Sequence, residues 1–148
     1  MNVGQMYSRG LVSVSESAPP SEVAKLMRDR HVGTVVVVTA PMDQPIAAGI
    51  ITDRDIVHAQ LDHTADLSRL CAADVMTRDP LVLCGDVAVE DAIERMRVRG
   101  VRRAPVVTAH GALLGLVSTD DLISQLARDL GELARLLERQ PTMENHRQ

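Results

Sequence analysis

Aromatic side chains are almost missing from this chain: Tyr7 stands alone, with no Phe and no Trp. Proteins that grip single-stranded nucleic acid stack bases on several aromatics, so nucleic acid is not an expected partner, and any base bound here must rest between aliphatic side chains. A basic excess is missing as well. Sixteen Lys and Arg against twenty Asp and Glu leave a net charge of −4, whereas a nucleic-acid footprint needs a positive patch or stripe. The apolar run Val35–Val38 falls far short of the roughly 20 residues that span a bilayer, and the N-terminus lacks the basic-then-apolar order of a secretory leader, so a cytoplasmic, membrane-free protein is expected. Cysteine is scarce: Cys71 and Cys84 form no CxxC pair and are expected to stay reduced. The five histidines, His31, His58, His63, His110 and His146, show neither HxxxH nor HExxH spacing, so they read as surface or loop residues and no metal site is expected. A P-loop, a GxSxG elbow and a paired nucleophile and base are all absent, which argues against an enzyme.

What is present is ordinary in bulk and unusual in order. The 148 residues are 45 % apolar and 24 % charged, which suits one compact domain or two small ones sharing a core. Self-comparison shows a duplication. SEVAKLMRDRHV from Ser21 aligns with EDAIERMRVRGV from Glu90, so that Met27 meets Met96, Arg28 meets Arg97, Arg30 meets Arg99 and Val32 meets Val101, an offset of 69 throughout. Upstream, QMYSRGLVSV from Gln5 matches DVMTRDPLVL from Asp74 at the same offset. Downstream the offset falls to 66, because the first copy carries three extra residues in its APMDQPI loop. An exposed turn is where a duplicated fold tolerates an insertion.

Each copy reads as a short extended lead-in, an amphipathic helix, a strand, a turn, a second strand and a second helix. Val23, Leu26 and Met27 in one copy, and Ala92, Ile93 and Met96 in the other, recur at helical spacing. Ser21, after Pro19-Pro20, is the expected N-cap of the first helix. Gly111 and Gly115 are expected to mark the second copy's turn. The expected divisions are a first repeat over 5–63, a second over 74–130 and a C-terminal helical extension and tail over 131–148. The stripe Leu122, Ile123, Leu126, Leu130, Leu133, Leu137 outlasts the matching helix of the first copy and must be covered, either by its own module or by a second chain in a homodimer. The tail after Gln140 begins with Pro141 and is expected to fray.

The chemistry-bearing pattern follows each second strand: Gly, two apolar residues, Thr or Ser, two variable residues, Asp. It is Gly49-Ile50-Ile51-Thr52-Asp53-Arg54-Asp55 in one copy and Gly115-Leu116-Val117-Ser118-Thr119-Asp120-Asp121 in the other. The hydroxyl sits where a helix begins, and free N–H groups and the helix dipole favour a phosphate there. The Asp lies one turn along on the same face, and a carboxylate can accept from both hydroxyls of a ribose. The same Ser/Thr-x-x-Asp spacing is also that of a capping box, which stabilises a helix with no ligand; both readings stand. The Asp53-Arg54-Asp55 cluster reads as a helix-start salt-bridge group rather than a metal site.

With GIITDRDIV, GLVSTDDLI, the lead-in DVMT at 74–77 and VRRAPVV at 101–107, the chain resembles the cystathionine-β-synthase-type (CBS) domain family over nearly its whole length. The resemblance implies an α+β (α/β-type) fold: two β-α-β-β-α repeats packed through their sheets with approximate twofold symmetry. It implies a regulatory module that binds an adenosine compound (AMP, ADP or ATP, with S-adenosylmethionine or NAD as further members of the class) and needs no cofactor. The competing reading is a ligand-free scaffold. By position, Thr52 and Asp55 serve one cleft, Ser118 and Asp121 the other, and Arg102 and Arg103 reach phosphate. Gly33 and Thr34 replace those arginines in the first copy, so the sites are unequal. Adenine is expected to pack on Val12, Val35, Leu81, Ala104 and Pro105. Arg54 in the first copy and Asp120 in the second favour phosphorylated ligands at the Thr52/Asp55 cleft, unless Arg102 and Arg103 point into the other one. With no further domain in this sequence, output is expected to pass through a regulated partner protein or a dimer rearrangement.

Overall fold

The computed structural model describes residues 1–39, 44–62 and 66–144, the last five of these as backbone only. Part of the loop expected to hold the three-residue insertion, His63 with the first repeat's boundary there, His146 and the last four residues of the tail lie outside the described residues.

The elements follow one another as β1 (Ser13–Ser15), α1 (Pro20–Arg30), β2 (Thr34–Thr39), β3 (Ile46–Thr52), α2 (Asp53–Asp62), α3 (Ala72–Val75), β4 (Thr77–Arg78), β5 (Leu83–Cys84), α4 (Val89–Arg99), β6 (Arg103–Val107), β7 (Leu113–Ser118) and α5 (Thr119–Glu144). Each copy is thus β-α-β-β-α, and the fold is mixed α+β. The first strand of each copy pairs in parallel with the second, which pairs antiparallel with the third: β1-β2-β3 and β5-β6-β7. Both sheets carry a register shift at the same step, Val37/Val38 and Val106/Val107.

The lead-in segments are exchanged between the copies. β4, in the lead-in of the second copy, adds to the first copy's sheet by pairing with Gly49 and Ile50. Ser8, in the lead-in of the first copy, exchanges both backbone bonds with Leu116 of β7 (Ser8 N to Leu116 O, 2.8 Å; Leu116 N to Ser8 O, 3.2 Å). Each core is completed the same way. Val14, Val23, Met27, Val35, Val37 and Ile51 are joined by Ala72 and Met76 from the second copy's lead-in. Leu83, Val89, Ala92, Met96, Ala104, Val106 and Val117 are joined by Val3, Met6 and Tyr7 from the first.

This exchange explains the signature glycines. A Cβ on Gly49 would lie 2.8 Å from the Thr77 carbonyl oxygen and collide with Met76, and a Cβ on Gly115 would collide with Tyr7 and the Ser8 carbonyl. Gly115 is therefore a strand residue in β7, not a turn residue: close backbone approach, rather than turn conformation, requires it. Gly111, with φ 85°, does occupy the turn.

Two helix ends also differ from expectation. Pro19 is the N-cap of α1 and Pro20 its first residue, with no side-chain cap, so Ser21 lies inside the helix. Proline at the first helical position has its φ preset and gives up an N–H that would have no partner anyway. At the other end, α5 extends past Pro141 to Glu144, although a proline inside a helix gives up one backbone bond and crowds the carbonyl four residues back.

Strand alternation decides which side chains meet between the copies. Val35 and Val37, like Ala104 and Val106, belong to the cores of their own repeats. The intervening Val36 and Pro105, equally buried, occupy the opposite faces of β2 and β6. Those faces begin with Thr34 and Arg103.

Candidate functional site

Thr52 ends β3 and Asp55 lies in the first turn of α2. Ser118 and Asp121 hold the same places at the β7–α5 junction. Both junctions form complete capping boxes. Thr52 N donates to Asp55 Oδ2 at 2.8 Å, and Asp55 N donates to Thr52 Oγ1 at 3.2 Å. Ser118 N donates to Asp121 Oδ2 at 2.9 Å, and Asp121 N donates to Ser118 Oγ at 3.1 Å. The first N–H of each helix is taken by the residue just before the neighbouring strand: Asp53 N donates to Gly33 O and Thr119 N to Arg102 O. In the first copy even Arg54 N is occupied, by Asp53 Oδ1. The N–H groups expected to be free for a phosphate are thus largely bonded within the helix start itself, as a capping box requires.

The two junctions differ in one hydroxyl. Ser118 Oγ also donates to Asp121 Oδ2 at 2.8 Å, whereas the Thr52 hydroxyl proton has no acceptor among the described residues. Each aspartate bonds through Oδ2, which leaves Oδ1 available to accept.

Besides a small cavity of about 80 Å³ lined by Arg102, Arg103, Ser118, Thr119 and Asp120, two larger clefts border these junctions. The larger, about 390 Å³, is lined by Thr52, Arg54 and Asp55 from the first copy and by Thr77, Asp79, Leu81, Arg102 and Arg103 from the second, with Thr34, Ile50 and Arg99 among the rest. The smaller, about 260 Å³, is lined by Ser118 and Asp121 from the second copy and by Ser8, Val12, His31, Gly33 and Thr34 from the first, with Arg103 and Leu116. The linings correspond position by position at the repeat offsets of 69 and 66: Ser8 with Thr77, Val12 with Leu81, Gly33 with Arg102, Thr34 with Arg103, Ile50 with Leu116, Thr52 with Ser118, and Asp55 with Asp121. The duplication has therefore built two related clefts, each from both copies.

The clefts differ in charge. Arg54, Arg99, Arg102 and Arg103 line the larger one against Asp55 and Asp79; Arg103 alone, with His31 and Asp121, supplies ionisable groups to the smaller. Arg54 bonds His58 and Arg99 bonds the Asp79 carbonyl, but none of the four arginines has a carboxylate partner among the described residues. Arg102 borders the larger cleft, and Arg103 borders both.

Of the five expected adenine-packing residues, Leu81 and Val12 line the larger and smaller cleft respectively. Val35 and Ala104 do not: they are fully buried in the cores, because strand alternation points them away from the face shared by the copies. Pro105 is buried on the shared face but lines neither cleft. The aliphatic residues that do line the clefts include Ile50 and Val101 in one, and Leu11, Val32 and Leu116 in the other. Counting strand positions in steps of two from Thr52 would have found Ile50 and Thr34's side of the sheet. Thr34 is 6 % exposed and its Oγ1 has no hydrogen-bond partner among the described residues, a costly state for a buried hydroxyl.

Comparison with known proteins agrees with this architecture. The family model described as "CBS domain" matches residues 3–62 and 72–128. An uncharacterized protein of Methanopyrus kandleri is 32 % identical over 83 % of this chain, which spans 61 % of that relative's length. Among solved structures, CBSX2 of Arabidopsis thaliana, in complex with AMP, superposes with a TM-score of 0.73 at 22 % identity, covering 86 % of this chain and 96 % of its own. A CBS domain pair in complex with 5′-methylthioadenosine and S-adenosyl-L-methionine gives 0.72 at 22 %, covering 87 % and 97 %. With two matched repeats, two exchanged lead-ins and two equivalent clefts, the chain belongs to the CBS domain family.

Proposed function

We propose that this chain is a non-enzymatic regulatory module whose larger cleft binds a phosphorylated adenosine ligand, AMP, ADP or ATP. The observation that carries the reading is the larger cleft itself. It places a carboxylate with a free oxygen, a Thr52 hydroxyl whose proton has no acceptor among the described residues, and four arginines with no carboxylate partner among them around one cavity of about 390 Å³, within the range of small-molecule sites. In this reading Asp55 accepts from the ribose hydroxyls, Leu81, Ile50 and Val101 flank the adenine, and Arg54, Arg102 and Arg103 hold phosphate, which guanidinium forks do well. AMP bound to one solved relative and adenosyl ligands bound to another support the same class. Since the helix-start N–H groups are occupied, the arginines carry more of the phosphate contact than the sequence pattern suggests.

The test is native mass spectrometry of the purified chain, followed by calorimetric titration with AMP, ADP, ATP and S-adenosylmethionine. Saturable binding of a phosphorylated ligand that Asp55→Ala weakens supports the reading. No heat and no thermal shift with the whole panel favours the scaffold reading instead, to which the ligand-independent capping boxes lend support. In either case the output passes through another surface. The exposed stripe on α5 is the surface we assign to a second copy of the chain.

A further inference from the structure

Thr34 and Arg103 are the two residues that border both clefts. They are equivalent positions of the duplication, each at the start of the shared face of its sheet, and each pairs across the strand with a signature hydroxyl: Thr34 with Thr52, Arg103 with Ser118. Their chemistry differs completely. Thr34 brings a neutral hydroxyl, Arg103 a permanent positive charge. Arg103 is exposed and has no acceptor among the described residues, so nothing holds its guanidinium to one cleft.

Resting on the nucleotide reading above, we infer that Arg103 couples the two clefts, so that a phosphorylated ligand in the larger cleft restricts the smaller one to adenosyl ligands without phosphate. The first ligand takes the guanidinium fork in a bidentate contact, and one fork serves one phosphate. A phosphate monoester carries close to two negative charges at neutral pH. With Arg103 so engaged, the smaller cleft keeps His31 and Asp121 as its ionisable lining and has Gly33 and Thr34 where the larger has Arg102 and Arg103. A second phosphate there would meet the Asp121 carboxylate, with the one shared guanidinium already committed to the first phosphate. A nucleoside without phosphate meets no such repulsion. Asp121 Oδ1 remains to accept from its ribose, and Val12, Val32 and Leu116 remain to flank its base. The larger cleft keeps Arg54, Arg99 and Arg102 when Arg103 turns away, so it holds its phosphate either way.

The experiment is calorimetric titration of the full chain with AMP, then of the AMP-saturated chain with adenosine. The coupling predicts one tight AMP event, a second at least about tenfold weaker, and adenosine binding to the AMP-saturated chain. Arg103→Gln should weaken the first AMP event modestly and leave the second cleft preferring adenosine to the same degree whether or not AMP fills the first, since no shared charge remains to be committed; Arg103→Lys, which keeps the charge, should retain the parent's dependence of that preference on AMP. Because Arg103 is exposed and has no hydrogen-bond or ion-pair partner among the described residues, thermal unfolding of both variants should match the parent. Two AMP molecules binding with equal and independent affinities, or an Arg103→Gln variant in which AMP in the first cleft still shifts the second cleft's preference as in the parent, overturns the coupling and leaves the nucleotide reading standing. Failure of the parent to bind either AMP or adenosine overturns both.

Discussion

At the scale of single residues, Asp55 and Asp121 have two duties that separate under substitution. Each closes a capping box, so replacing either by Ala should destabilise the fold by about 1 kcal/mol, read as the midpoint of chemical unfolding. Ligand binding should distinguish them: Asp55→Ala should weaken AMP at least about tenfold, whereas Asp121→Ala leaves the tight AMP event close to the parent's. Equal losses in the two variants would show that the charge difference between the clefts does not decide affinity. His31 offers a second test. It ends α1 with φ 54° in the left-handed region, where the equivalent residue of the second copy is Gly100 at φ 65°. A side chain in that region costs about 1–2 kcal/mol, less the backbone entropy glycine gives up. His31→Gly should therefore stabilise the ligand-free chain by about 1 kcal/mol and raise its thermal midpoint by roughly 2–4 °C. Gly100→Ala should do the opposite, although its Cβ would meet nothing within 4 Å.

At the scale of elements, the exchanged lead-ins are the feature on which both clefts depend. β4 lies against Gly49, and the segment around Ser8 lies against Gly115. Gly49→Ala would push a methyl group into the Thr77 backbone, which cannot rotate aside as a side-chain tip can. The expected cost is about 1–3 kcal/mol. Because Thr77, Asp79 and Leu81 line the larger cleft, nucleotide affinity should fall with stability in the same variant. A Gly49→Ala chain with parental stability and parental binding would show that the lead-in yields freely. Much of this level was legible beforehand. The helical spacing of Met27 and Met96, the β-branched strands and the paired Thr52/Asp55 and Ser118/Asp121 patterns all report local physics, and local physics is written in neighbouring residues. The exchange was not legible, because a two-residue strand such as β4 has no periodicity to read, and its partner Gly49 lies far away in the chain. The orientation of Val35 and Ala104 was missed for another reason: β2 is apolar on both faces, so Val35, Val36, Val37 and Val38 carry no alternation from which to tell the core side from the cleft side. Arg103's place beside both clefts follows from that same orientation and from the twofold arrangement, which composition cannot express.

At the scale of the whole molecule, α5 is too long and too apolar for the unit it belongs to. Its counterpart α2 spans Asp53–Asp62, while α5 spans Thr119–Glu144. Leu122 is buried in the second core, yet Ile123, Leu126, Leu130, Leu133 and Leu137 are 47–68 % exposed. Those five follow a 3-4-3-4 spacing, the seam of a two-stranded coiled coil. Ala127 and Ala134 flank it with small side chains that let a second helix approach. Val57, equivalent to Ile123 in the first copy, is 56 % exposed as well. Burying a Leu or Ile that is roughly two-thirds exposed gains about 1–2 kcal/mol. Ten such residues across two copies give about 10–20 kcal/mol against an association cost of about 4–15 kcal/mol, a gain that exceeds the cost over most of these ranges, and a second copy of the chain is the occupant whose own stripe matches this face. A Leu130→Glu/Leu133→Glu double variant would place four carboxylates in the seam of a dimer but only exposed charges on a monomer. Analytical ultracentrifugation should therefore show the parent as a dimer and the variant as a monomer, with nucleotide binding retained because neither residue lines a cleft. If parent and variant sediment alike, the seam does not mediate self-association. If dimerisation does run through it, α5 also joins the smaller cleft to the dimer contact, since Asp121 sits in the first turn of the same helix whose later turns would carry the seam.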